Sequence, residues 1–210
     1  MEAHENREAQ NTARTEAFSD GVFAFAITLL VLNLRDPTTA PDLPLGTSLL
    51  DGLIHEWQSF FALVTSFITI LVMWLNHHNM FSHIGRVDRR LMLMNGLLLL
   101  FVVLTPFTTL IVSGHLSIAT DAGTAAAFYS GNFLLIAVAW NVLWRYCAKD
   151  RRLLAEDVTD DEAKTITRQY TVAPIGSVVA IAISFVSGLA SVTVVLIIAA
   201  FYAITGSHGD

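Results

Sequence analysis

The sequence predicts an all-α, polytopic membrane protein with six transmembrane helices and both termini cytoplasmic. Three observations predict it: long apolar runs without Lys, Arg, Asp or Glu, a sparse charge content, and basic residues gathered on alternate connections. Only 14% of the 210 residues are charged and 54% are hydrophobic, against roughly 25% charged in a soluble domain. Such a chain lacks the charge to cover a water-facing surface, and its apolar residues are collected into runs whose natural solvent is lipid. The formal net charge of −6 marks no basic partner, because many acids sit in the N-terminal tail and in the segment Glu156 to Glu162.

The first span covers residues 18–34, interrupted only by Asp20, and at about 1.5 Å per residue it crosses most of a ~30 Å hydrocarbon layer. Arg35, Asp36 and the prolines Pro37, Pro41 and Pro44 end it and make an extended loop. Leu49, Leu50, Leu53, Ile54 and Trp57 then recur at helical spacing between polar residues, predicting a short interfacial helix. The second span, about 57–81, ends in the polar cluster Asn76, His77, His78 and Asn79. The third, about 91–112, contains Pro106, which is expected to kink it and leave a carbonyl for a neighbour such as Thr109. The fourth covers about 125–146, followed by a polar stretch from Lys149 to Arg168 that continues as helix or loop outside the membrane. The apolar run that ends the chain is too long for one span and divides into 171–187 and 190–206, joined around Ser187, Gly188 and Ser191. A single membrane domain, 18–206, thus lies between a cytoplasmic tail, 1–17, and a short C-terminal tail, 207–210.

Orientation follows from the positive residues. Eleven of the twelve, all but Arg35, fall before the first span, between the second and third, or between the fourth and fifth. That bias puts both ends in the cytoplasm and requires an even number of spans. Residues 1–16 carry four glutamates against two arginines and no small-residue cleavage site follows, so the first run is read as a retained span, not a signal peptide. Cys147 has no partner for an intramolecular disulfide and reads as a small apolar residue at a helix end.

An acidic residue in a spanning helix costs about 2.5–3.5 kcal/mol at the bilayer centre and less near the interface, so Asp20 asks for a partner or a role. With residues placed at about 100° each, Thr28, Leu29 and Leu32 fall within about 60° of Phe25, while Ser19 and Asp20 point well away. The helix therefore has two faces with two jobs. This run, Phe18-Ser19-Asp20 followed by an apolar helix containing Ile27-Thr28-Leu29-Leu30, resembles the signature of the potassium channel family typified by the lysosomal transmembrane protein 175. The resemblance is most specific over Arg14 to Leu32 and extends through Trp74-Leu75-Asn76-His77-His78 and the stretch Asn95 to Phe107. It implies a homotetramer around four first helices, with pore-facing layers at Phe25, Thr28, Leu29 and Leu32 and K⁺ as permeant ion across the inner (cell) membrane. Family members commonly carry Ile or Leu where this chain has Phe25. The resemblance also implies a network around the signature, here Arg14, Phe18, Ser19, Asp20, Trp74 and His77; the shared cytoplasmic end of the first two spans puts Arg14 or His77 opposite the Asp20 carboxylate as our own expectation.

The chain has no T-V-G-Y-G-like loop and no acidic ring on the stripe, which leaves a hydrophobic constriction, with Thr28 hydroxyls offering oxygens to a partly dehydrated cation. The plainer readings are that Thr28 bonds back to the Ala24 carbonyl and that the Phe/Leu stripe is packing. The rival function is a proton- or cation-coupled secondary transporter using Asp20 and His77 as a relay, against which stands the absence of an inverted repeat. His77, His78 and His83 with Asp88 lack chelating geometry, so no metal is expected, nor any cofactor. Gly21, Gly96, Gly114, Gly131 and Gly188 are candidates for close helix contacts. The basic segment Arg145 to Arg152 is explained by topology and anionic headgroups, leaving no place for nucleic acid, and no catalytic pairing marks an enzyme.

Overall fold

The structure, a computed structural model, describes residues 2–34, 36–37, 44 and 46–206, with side chains from residue 10 onward. The expectations for Arg35, Pro41 and the tail 207–210 lie outside the described residues. Among the described residues eight α-helices form: α1 (Glu2–Leu29, ending in a 3-10 turn, Leu30–Asn33), α2 (Leu49–His55), α3 (Trp57–Ser82), α4 (Arg89–His115), α5 (Ala122–Ala148), α6 (Asp160–Tyr170), α7 (Val172–Ser184) and α8 (Gly188–Thr205). Six helical stretches are long and apolar enough to cross a membrane, and the chain is a multi-pass α-helical membrane protein.

Local chemistry sets the helix starts. Ser48, Asp88 and Ser187 each accept the backbone N–H three residues on, and Thr159 with Glu162 forms a reciprocal capping box at the start of α6. The capping box turns the polar stretch before the fifth span into a helix that runs almost directly into α7, so the span starting at Asp160 is half amphipathic and half apolar. At the other end of the chain, residues 2–17 do not form a separate tail but continue the helix of the first span.

α5 is the centre of the bundle, packed by α4, α7 and α8, with Trp140, Trp144, Tyr129 and Phe133 in the buried core. α1 lies at the edge, where its contacts of any extent are with α3 and α4. On the charged side, an antiparallel bridge pairs Ile84 with Leu154, and the Arg86 guanidinium donates to the Arg152 carbonyl, clipping two connections together.

Pro106 lies inside an unbroken α4. Thr109 does not relieve it, because its hydroxyl donates to the Thr105 carbonyl at 2.8 Å; the carbonyl that Pro106 leaves without its helical donor is that of Val102, and the Asn132 amide of α5 reaches the neighbouring Phe101 carbonyl at 3.2 Å. The expected glycine contacts are corrected likewise. At Gly21, Gly96, Gly114 and Gly131 a methyl group would meet nothing, whereas at Gly188 it would stand 2.8 Å from the Ala122 carbonyl oxygen. Gly188 is where the start of α8 crosses the start of α5, and a small residue is required there.

Candidate functional site

The candidate site is α1 and the helices that hold it. Its inward face follows a spacing of four and three: Ser19, Phe23, Ala26 and Leu30 are all buried. Its outward face carries Phe18, Gly21, Phe25, Thr28 and Leu32, spaced three, four, three and four residues apart and all exposed, Phe25 at 59% and Leu32 at 73%. Leu29 is half-buried at the margin of that stripe, and Val31, in the 3-10 turn that follows, is exposed beside Leu32. Of the sequence stripe, Phe25, Thr28 and Leu32 are exposed and Leu29 is half-buried, and the exposed row continues back through Gly21 to Phe18.

The Thr28 hydroxyl donates to the Phe25 carbonyl at 2.8 Å, three residues back and not to Ala24 four back. With its hydrogen so engaged, the oxygen keeps its lone pairs for the open side. At the end of the helix the Asn33 amide donates to the Pro106 carbonyl at 2.7 Å, fixing the outer end of α1 against α4.

The inner end is held by a polar chain running across three helices. The Ser19 hydroxyl donates to the Thr15 carbonyl at 2.9 Å and accepts from the Asn95 amide of α4 at 2.8 Å. The Asn95 oxygen faces His77 Nε2 of α3 at 3.0 Å. Ser19, His77 and Asn95 are all buried, so each bond is made where no water could replace it. His77 also stacks on Phe81 with ring centres 4.5 Å apart and meets Phe23 edge-on at 5.3 Å. The carboxylate of Asp20 accepts the Trp74 indole N–H at 2.9 Å.

That partner corrects the sequence reading, which put Arg14 or His77 opposite Asp20. Arg14 is exposed on an open cleft beside Phe18 and Asn95, and the His77 ring is taken by Asn95, one helical turn away from the indole. The three histidines go to three places: His77 inward, His78 to Glu16 at 2.6 Å, and His83 to Glu162 at 3.2 Å. Among the described residues no three His, Cys, Asp or Glu converge on a common point. Asn95, Glu16 and Asn33 had no role assigned from sequence. Asn95 could have been found as a lone amide in the apolar third span, since a buried amide in a membrane needs a partner; Glu16 and Asn33 carry no such signal.

The fold and the site define a six-span membrane protein of the ion-channel class, in which one edge helix is anchored on its polar inner face and bare on its other. Residues 14–106 match the sequence profile described as the endosomal/lysosomal potassium channel TMEM175. A potassium channel of Chamaesiphon minutus is 44% identical over 94% of this chain and 96% of its own length, and one of Streptomyces collinus is 37% identical over 84% of each. The human endosomal/lysosomal proton channel TMEM175 is 39% identical over 42% of this chain, which corresponds to 18% of that protein. A crystal structure of the Chamaesiphon minutus TMEM175 homologue, described as a lysosomal potassium-selective channel homologue, superimposes with a TM-score of 0.83 at 41% identity, covering 94% of this chain and 99% of that one. The chain belongs to the TMEM175 family.

Proposed function

We propose that the protein is a potassium-permeable cation channel of the cell membrane, built as a homotetramer whose pore is lined by the outward stripe of α1. The observation that carries this reading is the bare three-four stripe on α1. A helix anchored on one face and exposing Phe18, Gly21, Phe25, Thr28 and Leu32 at heptad spacing suits symmetric packing of several copies around an axis. In such an assembly Phe25 and Leu32, with Leu29 at the margin, form hydrophobic rings that exclude water, and four Thr28 oxygens form a polar layer between them. Four hydroxyls do not replace a hydration shell, so selectivity among monovalent cations is moderate. Both termini are cytoplasmic, with the eleven basic residues; Ser19, Asp20, Trp74 and His77 act as the frame that fixes the helix, while Arg14 and Phe18 lie on its exposed side at the cytoplasmic end.

The coupled-transporter reading needs Asp20 and His77 joined through groups that exchange protons. Their partners, an indole and an amide, are poor carriers and weigh against it. The test is potassium flux from liposomes holding the purified protein, with Leu29→Ser and Leu32→Ser each expected to raise it by wetting the constriction. No flux above empty vesicles from a folded sample overturns the channel reading. A native mass other than four subunits overturns the tetramer.

A further inference from the structure

A basic cleft lies far from α1, between the C-terminal end of α5 and one face of α6. It is an open cleft lined by Arg145 and Ala148 from α5, Arg151 from the connection, and Lys164, Arg168 and Thr171 along α6 and its end. Four cations face it against two acids, Asp150 and Asp160. Two of the cations are already engaged. Arg151 donates to Asp160 at 2.9 Å and to the Val158 carbonyl at 2.6 Å, and Lys164 pairs with Asp161 at 2.9 Å. Arg145 and Arg168 remain exposed, with no side-chain partner among the described residues.

Both stand at the margin of the apolar surface. Arg145 follows the exposed Val142 by less than one turn, and Arg168 precedes the exposed Ile175 by two turns, about 10 Å along the helix. The wall that α6 gives the cleft is tied to the protein: Ala163 and Thr167 line it, Ala163 is buried, and Thr167 accepts the Trp144 indole N–H at 2.8 Å. The cleft therefore stays in place without a ligand, its walls held by α5. α1 packs on α3 and α4 and not on α5 or α6, so the cleft lies apart from the helix around which the copies would assemble.

We propose that this cleft binds the phosphate of an anionic phospholipid, with Arg145 and Arg168 as its two ligands. A guanidinium presents paired N–H donors that match two phosphate oxygens, and two of them from separate helices clamp one headgroup while its chains lie along Val142 and Ile175. The proposal rests on the membrane fold and not on conduction, so it stands or falls separately from the channel reading.

The full-length protein is equilibrated in vesicles of equal parts phosphatidylglycerol and phosphatidylcholine, extracted gently, and its retained lipids are read by native mass spectrometry. The wild type is expected to keep phosphatidylglycerol preferentially. Arg145→Gln/Arg168→Gln is expected to lose about thirtyfold of that preference, two residues at the roughly fivefold that one interfacial basic residue contributes. Arg89→Gln/Arg90→Gln, which removes equal charge at the start of α4, is expected to keep it. Equal losses in the two pairs would reduce the effect to diffuse electrostatics and overturn the site. So would a wild type without preference, or stabilisation by inorganic phosphate alone with no lipid retained. If the double variant fails to fold, the single variants are read, each with a roughly fivefold loss expected.

Discussion

Replacing Asn95 with leucine removes both bonds of the buried chain that ties α1 to its neighbours while keeping the branched shape of the side chain. Ser19 keeps its bond to the Thr15 carbonyl, so its loss is that of one ordinary hydrogen bond, about 0.5–1.5 kcal/mol. His77 fares worse. Its Nδ1 already has no partner, and without Asn95 the fully buried ring is left with none, a penalty of about 1–3 kcal/mol. Together the substitution is expected to cost about 2–4 kcal/mol, which for a chain of this size lowers the melting temperature by about 5–15 °C. Thermal unfolding of the purified protein, followed by intrinsic fluorescence, measures it. His77→Phe preserves the stacking on Phe81, so the double variant should recover a kcal/mol or more relative to the sum of the single losses, roughly the coupling expected of directly bonded residues. A drop under about 2 °C, or strictly additive losses, would refute the claim that this chain of bonds holds the helix.

Three further outcomes are expected. Trp74→Phe leaves Asp20 without its indole donor and should destabilise by about 1–3 kcal/mol at neutral pH, with Asp20→Asn in the same background recovering part of the loss; thermal unfolding of the three variants decides it. Gly188→Ala drives a methyl group against the Ala122 backbone and should cost about 1–3 kcal/mol, whereas Gly131→Ala meets open space and should be neutral or stabilising by up to about 1 kcal/mol. For Asp88, burial pushes its pKa up, but the Tyr146 hydroxyl, the Leu91 and Arg90 N–H groups and the Arg152 charge outweigh that and hold it below the ordinary 3.8. A depressed folded pKa contributes stability above the unfolded value and loses it as pH falls through the folded one. The melting-temperature gap between wild type and Asp88→Asn should therefore be full at pH 7 and close below about pH 4. A gap that does not change with pH would count against it.

Hydropathy and charge placement carried the six-span reading, because lipid permits only segments that satisfy their own backbone, and such segments are written as contiguous apolar runs. The two faces of α1 were likewise legible, since helical periodicity alone separates Ser19 and Asp20 from Phe25, Thr28 and Leu32. What the sequence could not supply was pairing. Asp20 had three donors within plausible reach, and only the rotation of α3 against α1 decides that the Trp74 indole takes the carboxylate and the His77 ring goes to Asn95. The bond from Asn33 to the Pro106 carbonyl, between residues 73 apart in the chain, is likewise set only by how α1 meets α4. The same holds for Gly188, marked out from four other glycines only by the backbone that crosses it. Periodicity belongs to one helix and can be read from its residues; partner choice belongs to the crossing of two helices, and only packing fixes that.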